Sequence, residues 1–467
     1  MAVIARRTAV AAAVLGAGSL VLGGCGSALD LTRDTGDGGE VALTVTSNAV
    51  SGGKNAEEAD WVTRWLIPRF VRAQAAKGVR VRVAFQPSGV DDEQYKTRLA
   101  LDLKARAGAD VMSLDGTWVG EFAQARYISP LHEVAGAAVD AWEGWRQVNE
   151  QVRALARFQG RLYGIPAGTD ARVLFYHRPL FRRAGLPADW RPRSWQDVLA
   201  AARRLQRLEK VVPLQVDAGT AMGEATTMQG VLPLLAGTGQ QVSSGDRWYG
   251  DTPGLRAVLG FYREVYHGGL GDPRLQMEVK GRDTSFEMFA AGRLGILLES
   301  DYLWRDVLVP GTGTAPMAHR DRDVGYTLVP ARAPGQGIGG RDHVSLSGGA
   351  VHVLNPHTRH PQQAFELLTF MHSAQALRAR LGDTAQITER DDVNAEVLEK
   401  DPMLSFAARQ ALPVTTFRPP LAAYPDVSLA LQEATAQVVS GTGPSRAAAE
   451  FARNLEEVAG GSDHVVH

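Results

Sequence analysis

An α/β fold with more than one domain is predicted by three observations. Strand-like alternation repeatedly gives way to helical spacing, the chain is 467 residues long, and 45% of it is hydrophobic with a single cysteine. Residues 41–467 are too many for one core and fit two or three domains. In "VALTVTS", Val41, Leu43 and Val45 share one strand face; in "VRVRVAF", Val79, Val81, Val83 and Phe85 oppose Arg80 and Arg82. Between them, Trp61/Trp65 and Leu66/Phe70 repeat at four-residue spacing, a helix bent or split at Pro68. Tyr95, Leu99 and Leu103 form the next helical stripe, and "ADVMSLD" is a short strand ending at Asp115. This β-α-β-α-β order predicts a largely parallel sheet with right-handed crossovers. Ligands gather beyond the carboxyl ends of such strands, which singles out Asp115 and Trp118.

A second unit follows. "GRLYGIPAGTDARVLFYHR", Gly160 to Arg178, is a strand pattern interrupted by Gly-Ile-Pro-Ala-Gly. Ser194-Trp195-Gln196-Asp197 reads as a capping box opening a helix with Trp195, Val198, Leu199, Ala202 and Leu205 inward. Thr284-Ser285-Phe286-Glu287 reads as another cap, with a stop at Gly292. "LGILLESD" is a buried strand delivering Asp301, Tyr302 and Trp304 to a helix start. Pro330 to Gly349 is rich in turns, and helices follow over Pro361 to Met371, Val427 to Val439 and Ala447 to Val458.

The N-terminus has the layout of an export signal: Arg6 and Arg7, an apolar run from Ala9 to Leu22, then Gly23 and Gly24. That run is short of the ~20 apolar residues that span a bilayer. Leu22-Gly23-Gly24-Cys25 resembles the lipobox of bacterial lipoproteins, so the resemblance implies cleavage after residue 24 and a diacylglycerol on Cys25. Arg6-Arg7 leaves both general and twin-arginine export open. Residues 25–40 are polar and glycine-rich, a flexible tether.

Lys and Arg number 50 against 51 Asp and Glu, so no net field favours nucleic acid. One cysteine excludes a disulfide scaffold and a thiolate metal site. "GQGIGG", Gly335 to Gly340, lacks the Lys-Ser/Thr of a phosphate loop, and His352, His357 and His360 lack a neighbouring carboxylate for zinc. No metal or cofactor is expected.

"YKTRLALDLKARAGADVMSLDGTWVGEFAQARYISPLHEV", "GRLYGIPAGTDARVLFYHRPLFRRAGL", "RSWQDVLAAARRL", "FEMFAAGRLGILLESDYLW" and "SGGAVHVLN…HPQQAFELLTFM" resemble, in order and spacing, the successive blocks of extracellular solute-binding proteins of sugar ABC transporters, the maltose-binding-protein-like group. The resemblance implies a two-lobed type II periplasmic-binding-protein fold, each lobe a mostly parallel sheet flanked by helices. The N-terminal lobe would comprise 41–168 and 336–385, the C-terminal lobe 169–335 and 386–467. Crossings are expected at Gly164 to Arg172, about Ala331 to Gly340, and about Gly382 to Arg390, with hinge closure around a ligand.

A sugar offers hydroxyls at its rim and C–H faces above and below, so its site needs carboxylates, amides or Arg, and aromatic rings. Each neutral hydrogen bond nets only ~0.5–1.5 kcal/mol, and a ring over ~100 Å² of sugar face adds roughly 2.5 kcal/mol. The resemblance places a ligand-binding carboxylate at Asp170, with Arg172 holding it or touching the ligand. Tyr302 and Trp304 match the family's aromatic pair, although Glu299-Ser300-Asp301 precedes them instead of Asn-Gly-Pro. Gly348 and Gly349 match a glycine pair at which backbone approaches the sugar, with Ala350 where an aromatic often follows. Tyr424 and Lys54 complete the ligand-binding set with Asp115 and Trp118. Asp115 reads equally as a helix cap, Trp118 has a reading as core, and Trp248 reads as either a packing residue or a platform.

The expected function is capture of a carbohydrate or related polar solute by a monomeric, lipid-anchored receptor outside the cytoplasmic membrane. Its partners would be ABC permease subunits on separate chains, with no nucleic acid and no membrane contact beyond the anchor. An exported glycoside hydrolase with a carboxylate pair among Asp115, Asp170, Glu299 and Asp301 is the alternative, and a surface scaffold or adhesin the third.

Overall fold

The computed structural model describes residues 39–467 apart from Asp246 and Asp383; Cys25, the signal and nearly all of the tether lie outside the described residues. Two sheets dominate. The first has five strands in the order Arg80–Pro87, Glu40–Ser47, Val111–Asp115, Ala350–Leu354, Gly164–Ala167. The second has four, in the order Val324–Thr327, Arg172–His177, Leu294–Ser300, Val212–Gln215.

Each sheet is mostly parallel, as expected, with one strand reversed where the chain passes between the sheets. In the first sheet Val45 pairs Val111 in parallel, but Ala350 pairs antiparallel with both Asp115 and Ala167. In the second, Ile296 pairs Leu214 in parallel, while Leu294–Ser300 and Val324–Thr327 both run antiparallel to Arg172–His177. Strands linked by helical crossovers all end at the same edge of a sheet. A strand arriving directly from the other sheet begins at that edge instead, so Ala350–Leu354 and Arg172–His177 reverse the sense of their neighbours.

Asp115, Ala167 and Ala350 therefore stand together where the chain leaves and re-enters the first sheet. Arg172 and Ser300 are paired at the corresponding edge of the second. A three-stranded sheet of Val329–Pro330, His343–Ser347 and Thr415–Phe417 lies along the return path.

Helices cover the sheets as the apolar spacing requires. Trp195–Leu205 opens on Ser194, whose Oγ accepts the Asp197 N–H at 3.3 Å, and it buries Trp195, Val198, Leu199, Ala202 and Leu205. Ahead of Pro68 the helix widens to π geometry over Trp61–Leu66, then continues as Ile67–Ala76. The helix expected to start at Thr284 begins at Gly281. A Cβ at Gly281 would lie 1.8 Å from the Leu275 carbonyl oxygen, so glycine permits the close approach, and the Ser285 hydroxyl donates back to the Gly281 carbonyl oxygen at 2.8 Å.

Apolar cores lie against both sheets. Leu43, Phe70, Val111, Ile165, Leu354 and Leu368 cluster on the first, and Tyr176, Leu199, Tyr262, Leu298, Leu431 and Phe451 on the second. Each such side chain contributes about 1.5–3 kcal/mol on burial. Trp248 belongs to the second core at 4% exposure, on a strand pairing with Val465, and so packs instead of serving as a platform.

Candidate functional site

The site grows from the segments that pass between the sheets. Gly349 has φ 148°, and a Cβ there would lie 2.5 Å from the Gly168 carbonyl oxygen, so the return segment passes the outgoing one at glycine distance. The Gly349 carbonyl accepts the Gly116 N–H at 3.0 Å, fixing the loop that carries Asp115.

Asp170 stands between these segments. Its Oδ1 accepts the Gly348 N–H at 2.6 Å and a bond from Arg172 Nη1, and its side chain keeps 29% exposure. Arg172 is buried, with Nε donating to Gln229 at 2.7 Å and Nη1 also to the Leu346 carbonyl at 3.3 Å. Of the two roles open to it in the sequence, the structure gives Arg172 the holding of Asp170. Asp301 is also buried; it accepts from the Ala171 N–H at 2.9 Å and from Arg305 at 3.0 Å. Burial and then the Asp170 charge push the Asp301 carboxyl up to about 6, against the pull of Arg305 and the Ala171 amide.

The aromatic pair divides. Tyr302 is 36% exposed, with the Arg282 and Arg305 guanidiniums 5.8 and 5.9 Å from its ring centre. Trp304 is 2% exposed, its indole N–H on Asp401 at 2.9 Å and its ring covered by Arg320 and Tyr326. A ring enclosed on those sides is core, which corrects the expectation that Trp304 contacts ligand. The chain turns into a helix at Tyr302, and two positions later the side chain points to the opposite side.

Asp115 fixes the turn ahead of helix Trp118–Gln124 without capping it: Oδ1 accepts the Thr117 N–H at 2.8 Å and hydroxyl at 2.6 Å. It also accepts Arg418 Nη2 at 3.4 Å. Trp118 is half-buried against Tyr95, with Lys96 6.0 Å above its ring. Lys54 is held at the end of the first strand's loop, donating to Asp92 at 2.8 Å and to the Val90 carbonyl at 3.1 Å. Tyr424 is 3% exposed and donates to Glu224 at 2.6 Å, a buried support instead of an open ring.

Sequence reading missed Glu224 and Arg418. Arg418 Nη1 lies 3.7 Å from Glu224, so one guanidinium touches carboxylates on segments belonging to both sheets. Each had a signal: Glu224 is the lone charge in "AGTAMGEATTMQG", and Arg418 the lone charge in "LPVTTFRPPLAAY", next to two prolines that stiffen its loop. Arg418 and Gly116 border a cavity of about 430 Å³. Its wall includes Gln151, Leu155 and Phe158 from before the first crossing, Gln240 and Gln241 from after it, and Phe417. Such a mixture of amides and rings suits a polar solute with apolar faces.

His352 belongs to a buried chain: its Nδ1 is 3.0 Å from His372 Nε2, and His372 Nδ1 is 2.5 Å from Glu389. The second Glu389 oxygen accepts the Gly168 N–H at 2.9 Å. Among the described residues no helix is long and apolar enough to cross a membrane.

A family described as bacterial extracellular solute-binding protein matches residues 55–377. The chain belongs to this family. Among solved structures, this solute-binding protein is similar to the sugar-binding protein MalE of Xanthomonas citri, with TM-score 0.70 and 17% identity over 90% of this chain and 98% of that one. It is similar also to the cyclic alpha-maltosyl-1,6-maltose binding protein of Arthrobacter globiformis (TM-score 0.69, 17% identity, 90% and 99% covered). A solute-binding protein of Thermotoga lettingae bound with alpha-D-tagatose matches at TM-score 0.63 and 21% identity, over 90% and 100%. These likenesses give the solute-binding protein the two-lobed mixed α/β fold. A binding protein of Brucella abortus (strain 2308) is 23% identical over 268 residues, 57% of this chain; the match spans 59% of that relative's length.

Proposed function

We propose that this solute-binding protein is the receptor of an ABC importer, capturing a carbohydrate or related polar solute between its lobes. The observation that carries the reading is the polar cluster of Asp115, Asp170, Glu224 and Arg418 beside the 430 Å³ cavity, drawn from segments of both sheets. Tyr302 supplies an exposed ring, and Gly348, whose N–H is held by Asp170, brings backbone close to Asp170 and Arg418. A few hydrogen bonds and one or two faces covered by rings reach the ~8 kcal/mol of a micromolar complex. The sugars in the names of the structural relatives support the same solute class.

The proposed N-terminal lobe is 41–168 with 336–385 and the C-terminal lobe 169–335 with 386–467; the strands of the two large sheets fall on either side of this division, while His343–Ser347 joins strands and core residues of the second lobe. Cys25 would carry the lipid that keeps a monomeric receptor on the outer face of the cell membrane, beside permease subunits on other chains. The role is carriage without catalysis, a reading that the match to a family of solute-binding proteins supports over the hydrolase alternative. Calorimetric titration of the mature protein against neutral mono- and oligosaccharides tests the proposal. Stoichiometric binding without product supports it; turnover of a sugar, or no binding across the panel, overturns it.

A further inference from the structure

Arg418 leaves the short strand Thr415–Phe417, which pairs in parallel with Ser345, Leu346 and Ser347 on the return path, and is followed by Pro419 and Pro420. Its backbone is thus anchored to the crossing and not to the interior of either sheet. Its guanidinium reaches Asp115, at the end of a first-sheet strand, at 3.4 Å, and Glu224, which follows a second-sheet strand, at 3.7 Å. Both acceptors have partners besides Arg418. Thr117 fixes Asp115, while the Tyr424 and Ser428 hydroxyls fix the two Glu224 oxygens.

The two contacts are longer than tight charge-assisted bonds, which close to about 2.7–2.9 Å. The fork of five donors therefore keeps capacity for a pair of adjacent hydroxyls, a geometry Lys lacks. Charge around it is lopsided. Asp170 is already matched by Arg172, so among the described residues Arg418 is the guanidinium that faces both Asp115 and Glu224, and a Cβ on Gly348 would lie 3.7 Å from Asp170 and 4.0 Å from Arg418.

We propose that Arg418 is the joint between the lobes and the anchor for two neighbouring solute hydroxyls, and that its carboxylate partners make the cleft select neutral or amino-bearing sugars over sugar acids. The claim rests on the carbohydrate reading above and deepens it. A neutral sugar fills the remaining donors and leaves the Asp115–Arg418–Glu224 bridge in place. An anionic sugar competes with those carboxylates for the guanidinium and meets their charge.

The test uses the mature full chain as wild type, Arg418→Gln and Arg418→Lys. Calorimetry compares a neutral sugar that binds with its uronic acid and its amino counterpart, and solution scattering without sugar compares wild type with Arg418→Gln. The expected results are a fall of about 50-fold or more in affinity for Arg418→Gln, little recovery in Arg418→Lys, and a uronic acid at least 10-fold weaker than the neutral sugar. Scattering should give a larger radius of gyration for Arg418→Gln, with its thermal midpoint within a few degrees of wild type. Affinity within twofold of wild type, a uronic acid binding as tightly as the neutral sugar, or superimposable scattering curves would each overturn the proposal. Failure of wild type to bind any sugar overturns the carbohydrate reading instead, and the scattering comparison still decides the joint.

Discussion

Asp170 ties the two crossing segments together by accepting the Gly348 N–H at 2.6 Å, while Arg172, two residues further on, grips the same oxygen from below. One carboxylate thereby serves the hinge and remains 29% exposed for a solute, whereas its guanidinium partner is buried. Replacing either residue should separate these duties. Asp170→Asn should weaken sugar binding by about 10- to 100-fold, the worth of one charge-assisted hydrogen bond. Arg172→Met should chiefly lower stability, by about 3–5 kcal/mol, because Asp170 and Gln229 lose a buried partner. Calorimetry and denaturant unfolding on both variants check the split; equal effects of both on affinity would contradict it.

The glycine at 349 gives a second outcome. Gly349→Ala places a Cβ 2.5 Å from the Gly168 carbonyl at a backbone angle unfavourable to side chains. Thermal unfolding should show a loss of about 1–3 kcal/mol, with affinity reduced because Gly116 and Asp115 shift with the 349 carbonyl. An unchanged midpoint would show that the crossing relaxes freely.

Much of this architecture is legible in the sequence. The helix Pro361–Met371 and the strand end at Asp115 fall where the spacing puts them, because a buried stripe or face imposes its period on the residues. The one reversed strand in each sheet is not legible: nothing local in Ala350–Leu354 says from which edge it enters. The site is less legible again. The family resemblance nominates Tyr302 and Trp304 together, yet only packing reveals that Asp401 and Arg320 enclose Trp304. Arg418 and Glu224 meet over 194 positions of chain, and no local pattern encodes so distant a contact.

Tyr302 and Trp304 should accordingly respond in opposite ways. Tyr302→Ala removes an exposed ring and should weaken sugar binding by about 10- to 100-fold with stability nearly unchanged. Trp304→Ala should cost about 3–5 kcal/mol of stability through the cavity left beside Tyr326 and Leu303. Thermal midpoints alongside titrations decide; a Tyr302 variant that binds as wild type would remove the ring from the site.

Acid should loosen the crossing through the buried His352–His372–Glu389 chain. Burial, followed by the neighbouring His372 and Arg380 charges, holds His352 well below its ordinary value. The unfolded chain then takes up a proton below about 6.5 that the folded chain refuses, so stability falls as pH drops from that point. Glu389 is raised by burial, but His372 and the backbone amides outweigh this and lower it; its contribution is present above the ordinary carboxylate value and is lost as pH falls through the depressed one. Unfolding free energy should therefore decline from pH 7 to pH 5, and His352→Gln should flatten that slope. A slope identical in wild type and variant would assign the pH dependence to other groups.

Asp217 has the opposite sign. It is buried, its Oδ2 has no hydrogen-bond partner, and Arg282 Nε lies 3.9 Å away while bonding Glu299 at 2.6 Å. Burial first, and the Glu299 charge second, push its carboxyl up to about 8 against the pull of Arg282. A folded value above the unfolded one means that the neutral form suits the fold: its stability is fully present below about 3.8 and is lost as pH rises towards 8. Asp217→Asn supplies a neutral group of the same shape, so it should raise the thermal midpoint by about 2–4 °C near pH 8 and leave it unchanged near pH 4. Differential scanning calorimetry at pH 4, 6 and 8 gives the comparison, and a gain larger at pH 4 than at pH 8 would mean that Asp217 is ionised in the fold and held there by Arg282.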